Sequence, residues 1–377
     1  MKFAAFYLPQ FHEIEENNTF WGEGFTEWNN VKRSESLFYG HRQPKLPTYL
    51  GYYNLLDEET VKSQMALAKE YGIDIFAVYI YWFNGKSIMD KPLKSMFKYA
   101  KEYGIEIFFV WANENWTRRW DGAEVDILLE QEHHIGKDLK LVEHYLEYFK
   151  EDAYLKINNE AFFGIYRPDN IPNSSIFFEK LKEKFRTYDV LIHITMIQSF
   201  SNYDPRIYKL DSAIQFPPHQ LSLKSSRKEA LRNGDSLTTH SYKEMVINAT
   251  SKLRTDFLNF PGTMTGWDNT PRMRTKGHVV IGSEAVHFYF WLMNSINYAL
   301  KCLAPEYQII FINAWNEWGE GAFLEPDVDS GLSKLNCVKM AKSQVLNLKA
   351  GIKELENSKS LKLSYEFSNS FKYGEYI

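Results

Sequence analysis

Two glutamates three residues apart, Glu317 and Glu320, sit among tryptophans and glycines in the run Asn313-Ala314-Trp315-Asn316-Glu317-Trp318-Gly319-Glu320-Gly321. Paired carboxyls are what acid/base chemistry on a glycosidic bond requires: one protonates the leaving oxygen, the other removes a proton or attacks. A solvated loop also uses glutamate, but Trp and Gly are poor filler beside it. Three further segments mix rings with charge: Trp21 to Trp28, Trp111 to Asp121, and Trp267 to Arg272. Sugars present C–H faces that stack on rings and hydroxyls that bond to polar groups. Tyr7, Trp28, Tyr81, Trp82, Trp116, Tyr166, Trp267 and Trp315 are therefore candidate platforms, and Asn113, Glu114, Asp268, Arg272 and Asn316 candidate polar contacts. Each has a plainer reading as well. Glu114 could brace Arg118 and Arg119, Asp268 and Arg272 could form a simple salt bridge, and the tyrosines could be rim packing. The basic run with Lys224, Arg227, Lys228 and Arg232 reads as a solvated loop, with an anionic sugar or phosphate as the alternative. His12, His133, His134 and His219 lack metal-ligand spacing, and Asp327-Val328-Asp329 is too short an acidic pattern to argue for a metal. No metal or other cofactor is expected.

The elements that must position these residues announce themselves through a repeat. Ala68-Lys69-Glu70-Tyr71-Gly72-Ile73 returns 32 residues later as Ala100-Lys101-Glu102-Tyr103-Gly104-Ile105. Both copies read as the end of a helix, a glycine cap and an apolar strand. Similar apolar runs predict strands near Phe3 to Leu8, Ile75 to Tyr81, Ile107 to Trp111, Phe162 to Tyr166, Leu191 to Ile197, Ser212 to Phe216, Gly262 to Thr265 and Ile309 to Ala314. Helical patterns separate most of them, around 138 to 150, 174 to 187, 241 to 256, 284 to 302 and 332 to 355. Eight strand–helix units predict a closed α/β barrel, the (β/α)8 or TIM barrel, rather than an open sheet. Long insertions at about 9 to 56, 112 to 136, 217 to 240 and 266 to 282 all follow strands, on the barrel face where active sites lie. The expected organisation is one catalytic barrel over 1 to 355 and a tail over 356 to 377 packed on or near it.

Composition narrows the function classes. The 44 Lys plus Arg against 48 Asp plus Glu leave a net charge of -4, which excludes a charge-driven grip on nucleic acid or an anionic membrane. Aromatic residues make up 16% of the chain, many of them beside polar neighbours, as a carbohydrate surface requires. Two cysteines are too few for a disulfide framework. The longest uncharged apolar run, Ile75 to Phe83, falls well short of the roughly 18 residues of a membrane span, and the N-terminus lacks a cleavage pattern. A cytoplasmic protein follows, with a glycan as its partner and no protein partner predicted.

The run from Asn313 to Pro326 resembles the closing motif of glycoside hydrolase family 99, the endo-α-mannosidases. Tyr7-Leu8-Pro9-Gln10-Phe11-His12, Gly22-Glu23-Gly24-Phe25-Thr26-Glu27-Trp28, Asn113-Glu114-Asn115-Trp116 and Gly266-Trp267-Asp268-Asn269-Thr270-Pro271-Arg272 look like the related WbsX-type proteins, a resemblance that runs from residue 1 to about 350. Such proteins are often labelled glycosyltransferases of surface polysaccharide clusters. The hydrolase resemblance implies a (β/α)8 barrel in which Glu317 acts on the sugar 2-hydroxyl and Glu320 is the acid/base at the leaving oxygen, with configuration retained through a 1,2-anhydro sugar. Where the mannosidases commonly have His, this chain has Gly319. The preferred expectation is a retaining endo-type glycoside hydrolase. A transferase in lipopolysaccharide or capsule biosynthesis and a non-catalytic glycan-binding barrel stand as alternatives.

Overall fold

The computed structural model describes residues 1–117, 127–221, 226–231 and 234–357. Its frame is a ring of parallel strands: β1 (Lys2–Tyr7), β2 (Ile75–Phe83), β3 (Glu106–Trp111), β4 (Glu160–Ile165), β5 (Ile192–Ile197), β6 (Ser212–Ile214), β7 (Asn259–Phe260 and Gly262–Met264) and β8 (Ile309–Asn313). Each pairs with its neighbour in chain order, and β1 also pairs with β8. Closure happens at β7. Its first piece pairs with β6 and its second with β8, on either side of Pro261. Proline removes one ladder donor, but its carbonyl still accepts from Phe311 N at 2.9 Å. The next residue must be glycine, because a Cβ at Gly262 would lie 1.8 Å from the Gln215 carbonyl oxygen.

The strands are apolar along their length because helices cover one face and the barrel core fills the other; all of β2 is buried. The helices are α1 (Glu58–Glu70), α2 (Leu93–Tyr103), α3 (Lys140–Lys150), α4 (Ser174–Arg186), α5 (Tyr242–Ser251), α6 (Ala285–Cys302) and α7 (Ser333–Asn357). Asp57 starts α1 by accepting from Glu59 N at 3.1 Å, with Glu58 and Glu59 set against the positive end of the helix dipole. Gly72 and Gly104, the glycines of the repeat, take φ of 90° and 64° where α1 and α2 give way to strands. Between β5 and β6 the chain makes just a 3₁₀ turn, Pro205–Tyr208. Parallel strands put all the βα loops on one face. There, a small sheet of Arg227–Ala230, Ser236–Ser241 and His278–Ile281 ties the insertion after β6 to that after β7. No helix of the described residues is long and apolar enough to cross a membrane. The tail expected at 356 to 377 lies, from residue 358 on, outside the described residues.

Candidate active site

Beyond β8 the chain forms a tight hairpin. Asn316–Glu317 pairs with Ala322–Phe323, and a 3₁₀ turn, Trp318–Glu320, joins them. With three residues per turn, positions 317 and 320 fall on one side. The hairpin is anchored to the end of β1: Asn316 Oδ1 accepts from Leu8 N at 2.8 Å, its Nδ2 donates to Leu8 O at 3.0 Å, and Trp315 N donates to Phe6 O at 2.7 Å. Gly321 closes the turn in the left-handed region, φ 65°, where a Cβ would come within 2.9 Å of Asp268 N.

Opposite the turn stands Arg272, buried, with three carboxylates around its guanidinium. Nη2 donates to Glu317 Oε1 at 2.8 Å, Nη1 contacts Glu320 Oε1 at 3.0 Å, and Nε donates to Glu27 Oε1 at 2.8 Å. Arg272 rides on the helical turn Thr270–Met273 after β7. Asp268 fixes that turn by accepting from Thr270 N at 3.1 Å and Thr270 Oγ1 at 2.6 Å, and is itself held by Gln43 at 2.7 Å and His41 at 2.9 Å. Burial works against the Asp268 charge, but the bonds from His41, Thr270 and Gln43 keep its carboxyl below the usual range. Burial has the opposite outcome for the pair. It raises the Glu317 carboxyl well above the usual carboxylate range and raises Glu320 as well; Arg272 opposes this, and the nearby glutamate charges, Glu27 among them, reinforce it. A cluster of three carboxyls on one guanidinium therefore favours keeping a proton.

Rings line the adjoining wall. Tyr79 and Tyr81 alternate on β2, so they face the same way. Tyr166 meets Tyr79 edge-on at 6.1 Å, and the half-buried Trp116 meets Tyr81 at 5.6 Å. Burial, and among other charges Glu317, pushes up the phenols of Tyr79, Tyr81 and Tyr166. Farther along, Glu114 accepts from Arg167 Nη1 at 2.8 Å, and Arg167 also binds Asp169 and lies over the Phe200 ring at 4.3 Å.

With this geometry in view, comparison with known proteins is decisive for the family. The family described as Glycosyltransferase WbsX matches residues 3–338. The chain belongs to the WbsX family. Two strains of Xanthomonas campestris pv. campestris have an uncharacterized protein WxcX that is 36% identical over 341 residues, 90% of this chain and 49% of theirs. The chain thus spans about half the length of the curated relatives it matches. Among solved structures, the GH99 endo-α-mannosidase of Bacteroides thetaiotaomicron superposes with a TM-score of 0.60 at 14% identity, covering 93% of this chain and 98% of that one. A glycoside hydrolase-like protein gives a TM-score of 0.56 at 14% identity, covering 90% and 93%. At these identities the likeness establishes the TIM-barrel fold of this WbsX chain.

The structure brings Tyr81, Glu114, Trp116, Tyr166, Trp267, Arg272, Glu317 and Glu320 to the loop face of the barrel, and it withdraws seven other candidates from it. Tyr7 is wholly buried, its hydroxyl bonded to Gln64 at 2.7 Å. Trp28 packs among Phe11, Tyr53 and Trp318 and donates to Tyr53 O. Trp82 lies under α3, against Tyr145 and His144. Trp315 and, in the hairpin itself, Asn316 are fully buried. Asn113 is likewise buried, spending its amide on both backbone groups of Arg167. Asp268 pairs with His41 instead of Arg272, bracing the turn from behind. All of these are corrections: residues at barrel strand ends face inward as often as outward, as Tyr7, Trp82 and Asn113 do, and loop residues such as Trp28 and Asp268 are spent on packing or bracing the loops themselves.

Two site residues escaped sequence reasoning. Glu27 stood inside a motif of rings and carboxylates, and Tyr79 is two positions from Tyr81 on a strand, so period-two counting would have found it. Glu114 braces Arg167; Arg118, Arg119, Trp120, Asp121, Lys224 and Arg232 lie outside the described residues. Arg227 and Lys228 are exposed. Asp329 faces Arg42 and Lys45, and Asp327 caps the turn at Ser330, which uses both carboxylates structurally.

Beneath the hairpin, the buried Glu325 accepts from Trp318 Nε1 at 2.7 Å, Gln64 Nε2 at 2.7 Å and Tyr53 hydroxyl at 2.9 Å. Burial nevertheless raises its carboxyl to about 7. A folded-state value above the unfolded one gives stability that is complete below the unfolded pKa and disappears as pH rises through the folded one. Relative to Glu325→Gln, the wild-type chain should therefore lose about 3 kcal/mol of unfolding free energy between pH 4.5 and 8, at about 1.4 kcal/mol per pH unit of difference. Urea denaturation of both proteins across that range checks it. A pH-independent difference would mean that the three donors keep Glu325 ionised throughout.

Proposed function

We propose that this WbsX barrel is a retaining endo-type glycoside hydrolase in which Glu317 and Glu320 do the chemistry. One observation carries the reading: a single guanidinium binds both carboxyls, so they lie side by side instead of facing each other across a sugar ring. Opposed carboxyls suit direct attack by a carboxylate or by water. Adjacent ones suit work on adjacent atoms of the ring. Substrate binding places the pair's proton on Glu320, and Glu317, ionised and held by Arg272 Nη2, takes the proton of the 2-hydroxyl as that oxygen bonds to the anomeric carbon. The glycosidic bond breaks toward the leaving oxygen, which collects the proton of Glu320. Water then opens the 1,2-anhydro sugar, giving its proton to Glu320 while the 2-oxygen recovers its own from Glu317. Both groups return to their starting states with configuration retained. Glu320 is the more exposed of the two, 26% against 10% for the side chains, as suits the group that exchanges protons with leaving group and water. The half-buried Trp116, packed edge-on against Tyr81, offers ring surface to a sugar at the loop face.

The family's description favours a second reading, transfer to a sugar acceptor. Among the described residues, Arg272 and Arg167 both direct their charge at carboxylates, so neither is offered to the phosphates of a nucleoside-diphosphate donor. Transfer on this site would instead intercept the anhydro sugar with a hydroxyl in place of water. The fold neighbours make α-manno-oligosaccharides the first substrates to try. Incubation in water, without any nucleotide sugar, should liberate reducing ends; product that forms only with a nucleotide donor would overturn the hydrolase reading.

A further inference from the structure

Glu27 reaches the carboxylate cluster from the β1 side of the barrel mouth, next to the hairpin that follows β8. It belongs to the loop after β1, and its side chain is 1% exposed. The next residue, Trp28, is pinned through Nε1 to Tyr53 O at 2.8 Å, which leaves Glu27 little freedom. Oε1 takes the Nε hydrogen of Arg272, while Oε2 is buried without a partner among the described residues. Room for this contact exists because residue 319 is glycine: a Cβ there would lie 2.1 Å from Glu27 Oε1 and 2.7 Å from Arg272 Nε. Neither atom could stay, since both are buried and held. The absence of a side chain at 319 and the presence of a carboxylate at 27 are thus one feature of the fold.

Resting on the reading of Glu317 and Glu320 as the reacting pair, we propose that Glu27 is a positioning residue which, seated over Gly319, shares the charge of Arg272 and so keeps a proton on that pair. The physics is simple competition. Arg272 alone beside two carboxylates would favour ionising both, leaving no acid for the leaving oxygen. A third carboxylate on Nε offsets that pull and adds its own negative field at short range in a buried site, where charge interactions are strong. The direction of Glu27's effect on both partners agrees, raising each.

The experiment is a pH titration of carboxyl-labelled glutamate by 13C NMR, with the pair's signals assigned from Glu317→Gln and Glu320→Gln. Glu27→Gln keeps the shape and removes the charge. The midpoint of the pair should fall by about one pH unit or more. Gly319→Ala, which must push Glu27 off Arg272, should move it the same way, and Glu27→Asp should move it less than Glu27→Gln. An unchanged midpoint in folded Glu27→Gln would overturn the proposal, as would loss of folding in all three variants, since Glu27 would then serve the fold alone. The readout is protonation rather than turnover. A shifted midpoint in a protein that cleaves no glycan would sink the proposed function and leave the charge relation intact, whereas an unshifted midpoint in an active enzyme would sink only the role of Glu27.

Discussion

Glu320→Gln should lower kcat/KM on an oligosaccharide by about 100- to 10,000-fold, the range expected for loss of a general acid. A sugar leaving group departs as a poor alkoxide unless it is protonated as the bond breaks. An activated phenol departs readily, so the same variant should cleave an aryl glycoside of the same sugar at close to the wild-type rate in the bond-breaking step. Glu317→Gln should depress both substrates, because it acts on the nucleophilic side. The measurement is kcat/KM for each variant on one substrate of each kind. Equal losses for Glu320→Gln on both would remove the acid role. A substrate lacking the 2-hydroxyl should be poor even with the wild-type enzyme, since its internal nucleophile is missing.

Arg272→Met should destabilise the chain by about 3 to 5 kcal/mol, the usual consequence of removing one partner from a buried ion pair. Glu27, Glu317 and Glu320 would then face one another without a cation. The defect should depend on pH in a definite sense. Removing the guanidinium raises the carboxyl pKa values in the folded state further, so stability is present at low pH and is lost as pH rises through those values. Adding Glu27→Gln to Arg272→Met should restore part of the loss, because one of the three charges is gone. Urea denaturation of Glu27→Gln, Arg272→Met and the double variant at acid and neutral pH decides it. Strictly additive destabilisation by the two substitutions would mean that Glu27 and Arg272 do not communicate.

Much of the frame was legible because barrel strands are buried on both faces and read as apolar runs. All eight strand positions followed from that pattern, and the repeated helix–glycine–strand segment identified two consecutive units outright. Less legible was the ring closure at β7, where Pro261 splits a strand into pieces too short to register as a pattern. At the site, the spacing of Glu317 and Glu320 announced a shared face once a 3₁₀ turn was supplied. Other parts depend on contacts between residues far apart in sequence. Arg272 meets Glu27 across 245 positions, and His41 meets Asp268 across 227. Local pattern cannot assign such partners, and so leaves open for Asp268 both a sugar contact and a bridge to Arg272, where the fold has it brace the turn through His41 and Gln43. The misplaced rings have the same origin. Trp28 and Trp315 lie in motifs as polar as that around Trp116, Trp82 lies near the end of an apolar strand, and side-chain direction, which composition does not encode, sends all three into the core.

The central claim, that the two hairpin glutamates cleave a glycosidic bond with retention, is tested most directly by proton NMR of the anomeric signals during the first minutes of reaction with an α-manno-oligosaccharide. The wild-type chain should release a product whose newly formed reducing end is first seen in the α configuration, before mutarotation mixes the anomers, and the Glu317→Gln, Glu320→Gln double variant should release none. First appearance of the β anomer, or release that persists in the folded double variant, would contradict the account.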